Sequence, residues 1–412
     1  MKVFHSAIQS ISQNGLRSSM AGFGIAWGIF LLVIFLGIGN GVKDGVMKMF
    51  NSFAQKSLFV YSGQTSMAGD RLGENSQILF DGSIIDEIKA RYGSVVFCSE
   101  EMSLPSSMAS YRGETVAVMV KGIGADYFNV KILEVNDGRS IGRLDDLNRR
   151  NVAVIGEGVK QILFGKQECL GRMLDVDGSL FKVIGILRSD NLFSMQERNS
   201  VYVPSSSFMD NFNSDGKISS FCMSLSADTD TEEIEKDLKG YLAWRYGFSP
   251  YDERAIYVAN IENQTEAFES LFHILEVLIW IVGICLLLSG IVGVCNVMLI
   301  IGKERTNEIG IRKAVGATSG SIISMVMAES VTITFIAGLI GLILGSLAVS
   351  LADRVVIPLL DNEIVDDLRI NLPAVVAAFV ILCLSGVFAG LLPALKASQI
   401  TPVDAIRYEN RG

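Results

Sequence analysis

Four stretches of this chain lack charge over the ~20 residues that a helix needs to cross a bilayer. They are Ala21 to Val42, Val277 to Gly302, Ser330 to Ala352 and Ile370 to Leu395. Backbone amides in hydrocarbon find partners only within the protein, so each stretch is committed to helix. Only 19% of the residues are charged, below the roughly 25% usual for soluble domains. The sequence thus describes a membrane protein with one large soluble part, residues 43–270, between the first span and the second.

Charge is unevenly placed. Residues 43–270 hold 24 Lys and Arg against 33 Asp and Glu, and the remainder holds 11 of each, so the whole net charge of −9 lies in the soluble part. That sign argues against nucleic acid or an anionic membrane surface as its partner. Short flanks rich in Lys and Arg stay cytoplasmic. Lys303, Arg305, Arg312 and Lys313 follow the second span, Lys2 and Arg17 precede the first, and Lys396, Arg407 and Arg411 follow the fourth. The loop 353–369 instead sets Arg354 and Arg369 against Asp353, Asp361, Glu363, Asp366 and Asp367. Both termini and the loop 303–320 are therefore placed in the cytoplasm, with the soluble domain and the acidic loop outside.

The expected layout is an interfacial segment 1–20, spans 21–42, 271–302, 321–352 and 370–395, the outer domain 43–270 with its stalk helices, and the tail 396–412. Residues 2–20 carry Val3, Phe4, Ala7, Ile8 and Ile11 at helical spacing, which suits a helix flat on the membrane or a plain lead-in. The first span exceeds the about 7–15 residues of a signal core and lacks a small-residue cleavage site, so it is read as retained. Lys43 to Phe53 and Ile261 to Ile274 continue the first two spans as a stalk. Cys98, Cys169 and Cys222 fall outside the membrane, an odd number that does not suggest a disulfide framework, although a Cys98–Cys222 bond stays open.

The outer domain reads as α/β (α+β) in two subdomains, so the whole is an α-helical membrane protein with four transmembrane helices and an extracytoplasmic domain between helices 1 and 2. Strand-like runs are 58–61, 95–98, 116–120, 152–155, 181–187 and 200–203, and helical runs are 82–92, 158–164 and 231–246. A strand and helix near each end suggest two related halves, with 126–217 as a β-rich insert. The third and fourth spans each hold a GxxxG step, Gly341–Gly345 and Gly386–Gly390, which favours close helix packing. Pro393 is expected to end the fourth span, and Pro402 to Glu409 to form a short tail helix. Glu329, near the inner end of the third span, either snorkels to the surface or pairs with the charged loop.

No phosphate-binding GxxxxGK[ST] loop, HExxH, Cys/His cluster or GxSxG elbow occurs, and the spans lack a row of buried charges. No cofactor, metal or catalytic residue is expected in this chain. What remains is the loop 303–320, KERTNEIGIRKAVGATSG. As a helix it sets Glu308 three residues from Arg305 and four from Arg312, the favourable order for ion pairs. Ile301, Ile309, Ala314 and Val315 add apolar patches, and Gly316 suits a helix stop.

The run Glu304 to Ala317, ERTNEIGIRKAVGA, resembles the ERTREIGIRKALGA signature of MacB/FtsX-type ABC transporter permeases. The tail LLPALKASQITPVDAIRYE is similar to that family's ending, and Asp137–Arg139, Val152–Gly156, Leu163–Gly165 and Phe181–Gly185 resemble pieces of its outer domain. The resemblance implies a mechanotransmission permease of the bacterial inner membrane, working with a separate ABC ATPase subunit. Glu304, Arg305, Glu308, Ile309, Arg312 and Lys313 would form the ATPase contact, with Gly316 and Ala317 closing the helix. It further implies a second permease subunit, in a homodimer or in a pair with a different one, and for efflux a periplasmic adaptor and an outer-membrane channel. Lipoprotein release, an FtsX-like regulator of a cell-wall hydrolase, and a sensor with no transport role are the alternatives it leaves.

Overall fold

The computed structural model describes residues 15–50, 53–188, 197–212, 216–356 and 372–399. The expected tail helix and most of the N-terminal segment and of the acidic loop lie outside these residues. The chain divides into two units, Met1–Gly45 with Ser270–Gly412, and Val46–Glu269.

The first unit is built on four apolar helices, Gly15–Phe50, Ile261–Glu304, Ser319–Leu351 and Leu372–Ser398. At 44 residues the second runs about 66 Å, roughly twice the ~30 Å hydrocarbon thickness. The first, with 36 residues, is also longer than a crossing needs. Where these two helices extend into the second unit, Phe50 and Phe268 meet with ring centroids 5.4 Å apart and planes tilted by 50°. The fourth helix runs past Pro393, contrary to the expected stop. A proline removes one N–H and crowds one carbonyl, which a membrane helix tolerates when neighbours hold the next turn. Here Ala394 and Ala397 are buried in the shared core and do so.

Small residues set the spacing of these helices. A Cβ on Gly341 would stand 2.3 Å from the Ala26 carbonyl oxygen, and one on Gly345 would stand 3.0 Å from Val33. Gly386 and Gly390 face Thr334 and Ser330, at 3.1 and 2.8 Å by the same measure. The two glycine steps therefore serve different neighbours, one the first helix and the other the third.

The second unit carries a ten-stranded sheet and a two-stranded one among the described residues. Its strands are β1 Ser57–Ser62, β2 Phe80–Asp81, β3 Val95–Tyr111, β4 Glu114–Ile123, β5 Val135–Gly138 and β6 Val152–Ile155. They continue with β7 Met173–Val176, β8 Ser179–Leu187, β9 Ser200–Pro204, β10 Lys217–Ile218, β11 Ser220–Leu225 and β12 Ile256–Asn260. The large sheet runs β12-β1-β11-β3-β4-β9-β6-β8-β5, with β7 beside β3 and β8. Most neighbours are antiparallel, while β4–β9 and β6–β8 are parallel. The long β3 joins the strands of 126–217 to the rest, and a register shift between Leu104 and Ser107 accommodates Pro105. Asp177 and Gly178, both at positive φ, make the two-residue turn from β7 to β8.

Two ion pairs are buried within this unit, Glu101–Lys121 at 2.9 Å and Lys131–Glu197 at 2.6 Å. Burial alone would raise the Glu101 carboxyl, but Lys121 and Lys131 beside it hold it below its ordinary range. Cys98, Cys169 and Cys222 are buried free thiols, so the Cys98–Cys222 bond is not formed.

Candidate functional site

The second membrane helix ends at Glu304, and Arg305 breaks the run with φ −94° and ψ 14°. A separate helix, Thr306–Ala314, follows. The Thr306 hydroxyl donates to the Lys303 carbonyl at 2.6 Å, satisfying an acceptor that the break leaves open. At the far end Gly316 takes φ +101°. Its N–H donates to the Lys313 carbonyl and that of Ala317 to the Arg312 carbonyl, each at 3.0 Å. This paired closure needs a left-handed residue, which glycine supplies without strain. Thr318 then caps the third membrane helix by accepting from the Ser321 N–H at 3.3 Å.

Four charges form a file from the membrane interior to the surface. The Glu329 carboxylate, nearly enclosed within the third membrane helix, accepts from Arg305 Nη1 at 3.3 Å. Arg305 Nε lies 3.9 Å from Glu308, and Glu308 pairs with Arg312 at 2.7 Å. Of the two readings of Glu329, the structure shows the pairing. An exposed pair such as Glu308–Arg312 contributes about 0.3–0.5 kcal/mol, whereas stranding one partner of a buried pair costs about 3–5 kcal/mol. The Glu329–Arg305 contact therefore fixes the link, and the outer pairs refine it.

A second tie comes from Lys313, whose ammonium donates to the Ser398 carbonyl at the end of the fourth membrane helix. Ile309 is turned inward at 2% exposure and packs in the same core as Ile301, Ile322 and Val326. It is thus a packing residue of the link and not a surface one, because the helix needs an apolar face to rest on its neighbours. The exposed apolar side chains are Ile311 at 59% and Val315 at 85%. With exposed Glu304, Glu308 and Arg312 they leave one surface of mixed charge and apolar character. Among the described residues no cluster fit to hold a metal occurs. What the arrangement offers is a short helix, fastened to two membrane helices, with an exposed outer face.

Sequence reasoning found the charges, the Glu308 pairs and the glycine stop. It missed Thr306, Thr318 and Ser398. The hydroxyl three residues before Ser321 is a cap signal that could have located the third helix's start, while a backbone acceptor 85 residues from Lys313 has no sequence signature.

Two family models match the chain, a MacB-like periplasmic core domain over residues 18–241 and an FtsX-like permease C-terminal over residues 280–402. Among curated proteins it is 27% identical over 413 residues to a macrolide export ATP-binding/permease protein MacB of Neisseria meningitidis serogroup A. A protein of the same name from Mannheimia succiniciproducens is 26% identical over 412 residues. In each case 99% of this chain is aligned and it spans 61% of the relative's length. Among solved structures, the periplasmic region of MacB from Actinobacillus actinomycetemcomitans aligns with TM-score 0.44 and 19% identity, over 54% of this chain and 97% of that one. The extracellular domain of the transporter YknZ from Gram-positive bacteria gives TM-score 0.42 and 22% identity, over 50% and 100% respectively.

Proposed function

This chain belongs to the MacB/FtsX-type ABC transporter permeases, and we propose that it is the non-catalytic subunit that carries nucleotide-driven motion across the membrane. ATP binding and hydrolysis reside, in this reading, on a separate ABC ATPase that docks on the exposed face of helix Thr306–Ala314. One observation carries the proposal: that helix is fastened to the third membrane helix through Arg305–Glu329 and to the fourth through Lys313–Ser398. A push on its outer face is transmitted to both helices instead of being absorbed by a flexible loop.

The link and both termini lie in the cytoplasm of a bacterial cell, and the outer domain acts beyond the inner membrane with residues 126–217 as its insert. Two permease subunits, as a homodimer, stand over a pair of ATPases, and efflux or export follows from outer-domain movement. The relatives' names pair ATP binding with macrolide export, which supports an export role. A periplasmic adaptor and an outer-membrane channel complete the path.

The test is the double charge reversal Glu308→Lys with Arg312→Glu. It restores an ion pair within the helix while inverting the charges that the helix presents. ATPase activity stimulated by the permease should be lost while the outer domain stays folded. A double variant that still co-purifies with its ATPase and stimulates hydrolysis normally overturns the docking role.

A further inference from the structure

We propose that a groove between the first two membrane helices, at their domain-side end, binds the headgroup and upper chain of an amine-bearing zwitterionic phospholipid. Leu36, Gly39, Asn40 and Lys43 line one wall, and Phe272, Leu275, Glu276 and Ile279 the other. Both sets follow the spacing i, i+3, i+4, i+7, so each is one stripe of a helix. The groove holds about 270 Å³, just below the roughly 300–1,000 Å³ of pockets that enclose a drug-sized ligand. That is room for part of an amphiphile, not for a whole one.

The polar groups sit within about one helical turn of each other. A Cβ on Gly24 would lie 3.3 Å from the Gly290 Cα and one on Gly28 3.4 Å from the Leu286 Cβ, and continuing that antiparallel pairing along both helices sets Gly39 and Asn40 about level with Glu276. The helices run in opposite directions, because the first enters the outer domain and the second leaves it. Lys43 is four residues beyond Gly39, about 6 Å along the axis, and so stands about one turn past Glu276 towards the domain end. A cation and an anion thus flank the groove mouth, while Leu36 and its neighbour Phe35 line the wall about 5 Å to the other side of Gly39.

Among the described residues neither Lys43 nor Glu276 has an ion-pair partner, and the Asn40 amide forms no side-chain hydrogen bond. A headgroup with a phosphate for Lys43 and Asn40 and a primary ammonium for Glu276 complements this set. A purely anionic headgroup would face Glu276 unfavourably, and a quaternary amine has no N–H to donate to it.

The experiment uses the full chain in nanodiscs of phosphatidylethanolamine, phosphatidylglycerol or phosphatidylcholine, with lipids retained after detergent release counted by native mass spectrometry. Phosphatidylethanolamine should be retained at least fivefold over the other two. Lys43→Gln and Glu276→Gln, mild changes at a wet rim, should each abolish the preference. Equal retention of all three lipids, or a preference untouched by both variants, overturns the proposal. Preference for phosphatidylglycerol does so too, since Glu276 would then have no role. Under oxidation an Ile38→Cys variant should gain no disulfide-linked dimer over the unsubstituted chain; efficient cross-linking at Ile38 would mean that the second subunit, and not a lipid, fills the groove, and would overturn the proposal.

Discussion

The guanidinium of Arg305 donates to the carboxylate of Glu329 at 3.3 Å, and this contact joins the helix after the second span to the body of the third. The two residues are 24 positions apart. One opens the short link helix, and the other is buried in the third membrane helix. Every expectation about force transfer through this protein runs through that pair.

Glu329→Gln should destabilise the membrane unit by up to about 3–5 kcal/mol, since it leaves Arg305 half-buried beside a neutral amide. The double change Glu329→Leu with Arg305→Leu should recover most of that loss, because two apolar side chains can replace a buried pair at little net cost. Thermal unfolding of the purified protein in detergent checks both. The double variant should regain stability and yet fail to stimulate the ATPase, which separates fastening from folding.

Gly390→Leu should force the third and fourth membrane helices apart. Even a Cβ there would lie 2.8 Å from that of Ser330, and overpacking of this kind costs about 1–3 kcal/mol. Gly293 meets nothing within 4 Å in the same test, so Gly293→Leu is the matched control and should be tolerated. The melting temperatures of the two variants give the comparison.

The outer domain should be acid-labile through Glu87. Hydrogen bonds from Arg245 and Tyr241 hold its carboxyl down to about 2. The folded state therefore prefers the charged form more than the unfolded chain does, where such a carboxyl titrates near 4.3. This stabilisation is complete above about pH 5 and is lost as pH falls towards 2. Glu87→Gln should lower stability at pH 7 and flatten the acid dependence over that window. Limited proteolysis of the outer domain across the pH range measures it.

The membrane helices were the most legible part of the sequence, because hydrocarbon allows no polar interruption and the signal is contiguous. The helix Thr231–Tyr246 was equally plain, with acids in its first turn and Gly247 at positive φ beyond its end. The strand Ser220–Leu225 escaped notice because every residue in it is buried, which erases the alternation that marks a half-buried strand. The β7–β8 hairpin did carry a signal, the Asp177–Gly178 turn between apolar runs, and it was overlooked. At the candidate site the charges were visible, but the side on which Ile309 falls depends on neighbours at Ile322 and Val326 that only the third dimension brings near. Pro393 misled for a related reason: packing of Ala394 and Ala397 carries the helix beyond a local breaker.

The most direct measurement is sidedness, read from single cysteines at Val315 and Tyr251, which are 85% and 84% exposed. A membrane-impermeant thiol reagent, applied to cells whose outer membrane has been opened, should label Tyr251→Cys at once. It should reach Val315→Cys only after the inner membrane is breached. Labelling of both from the same face would place the link helix and the outer domain on one side of the bilayer and contradict the transmission of motion across it.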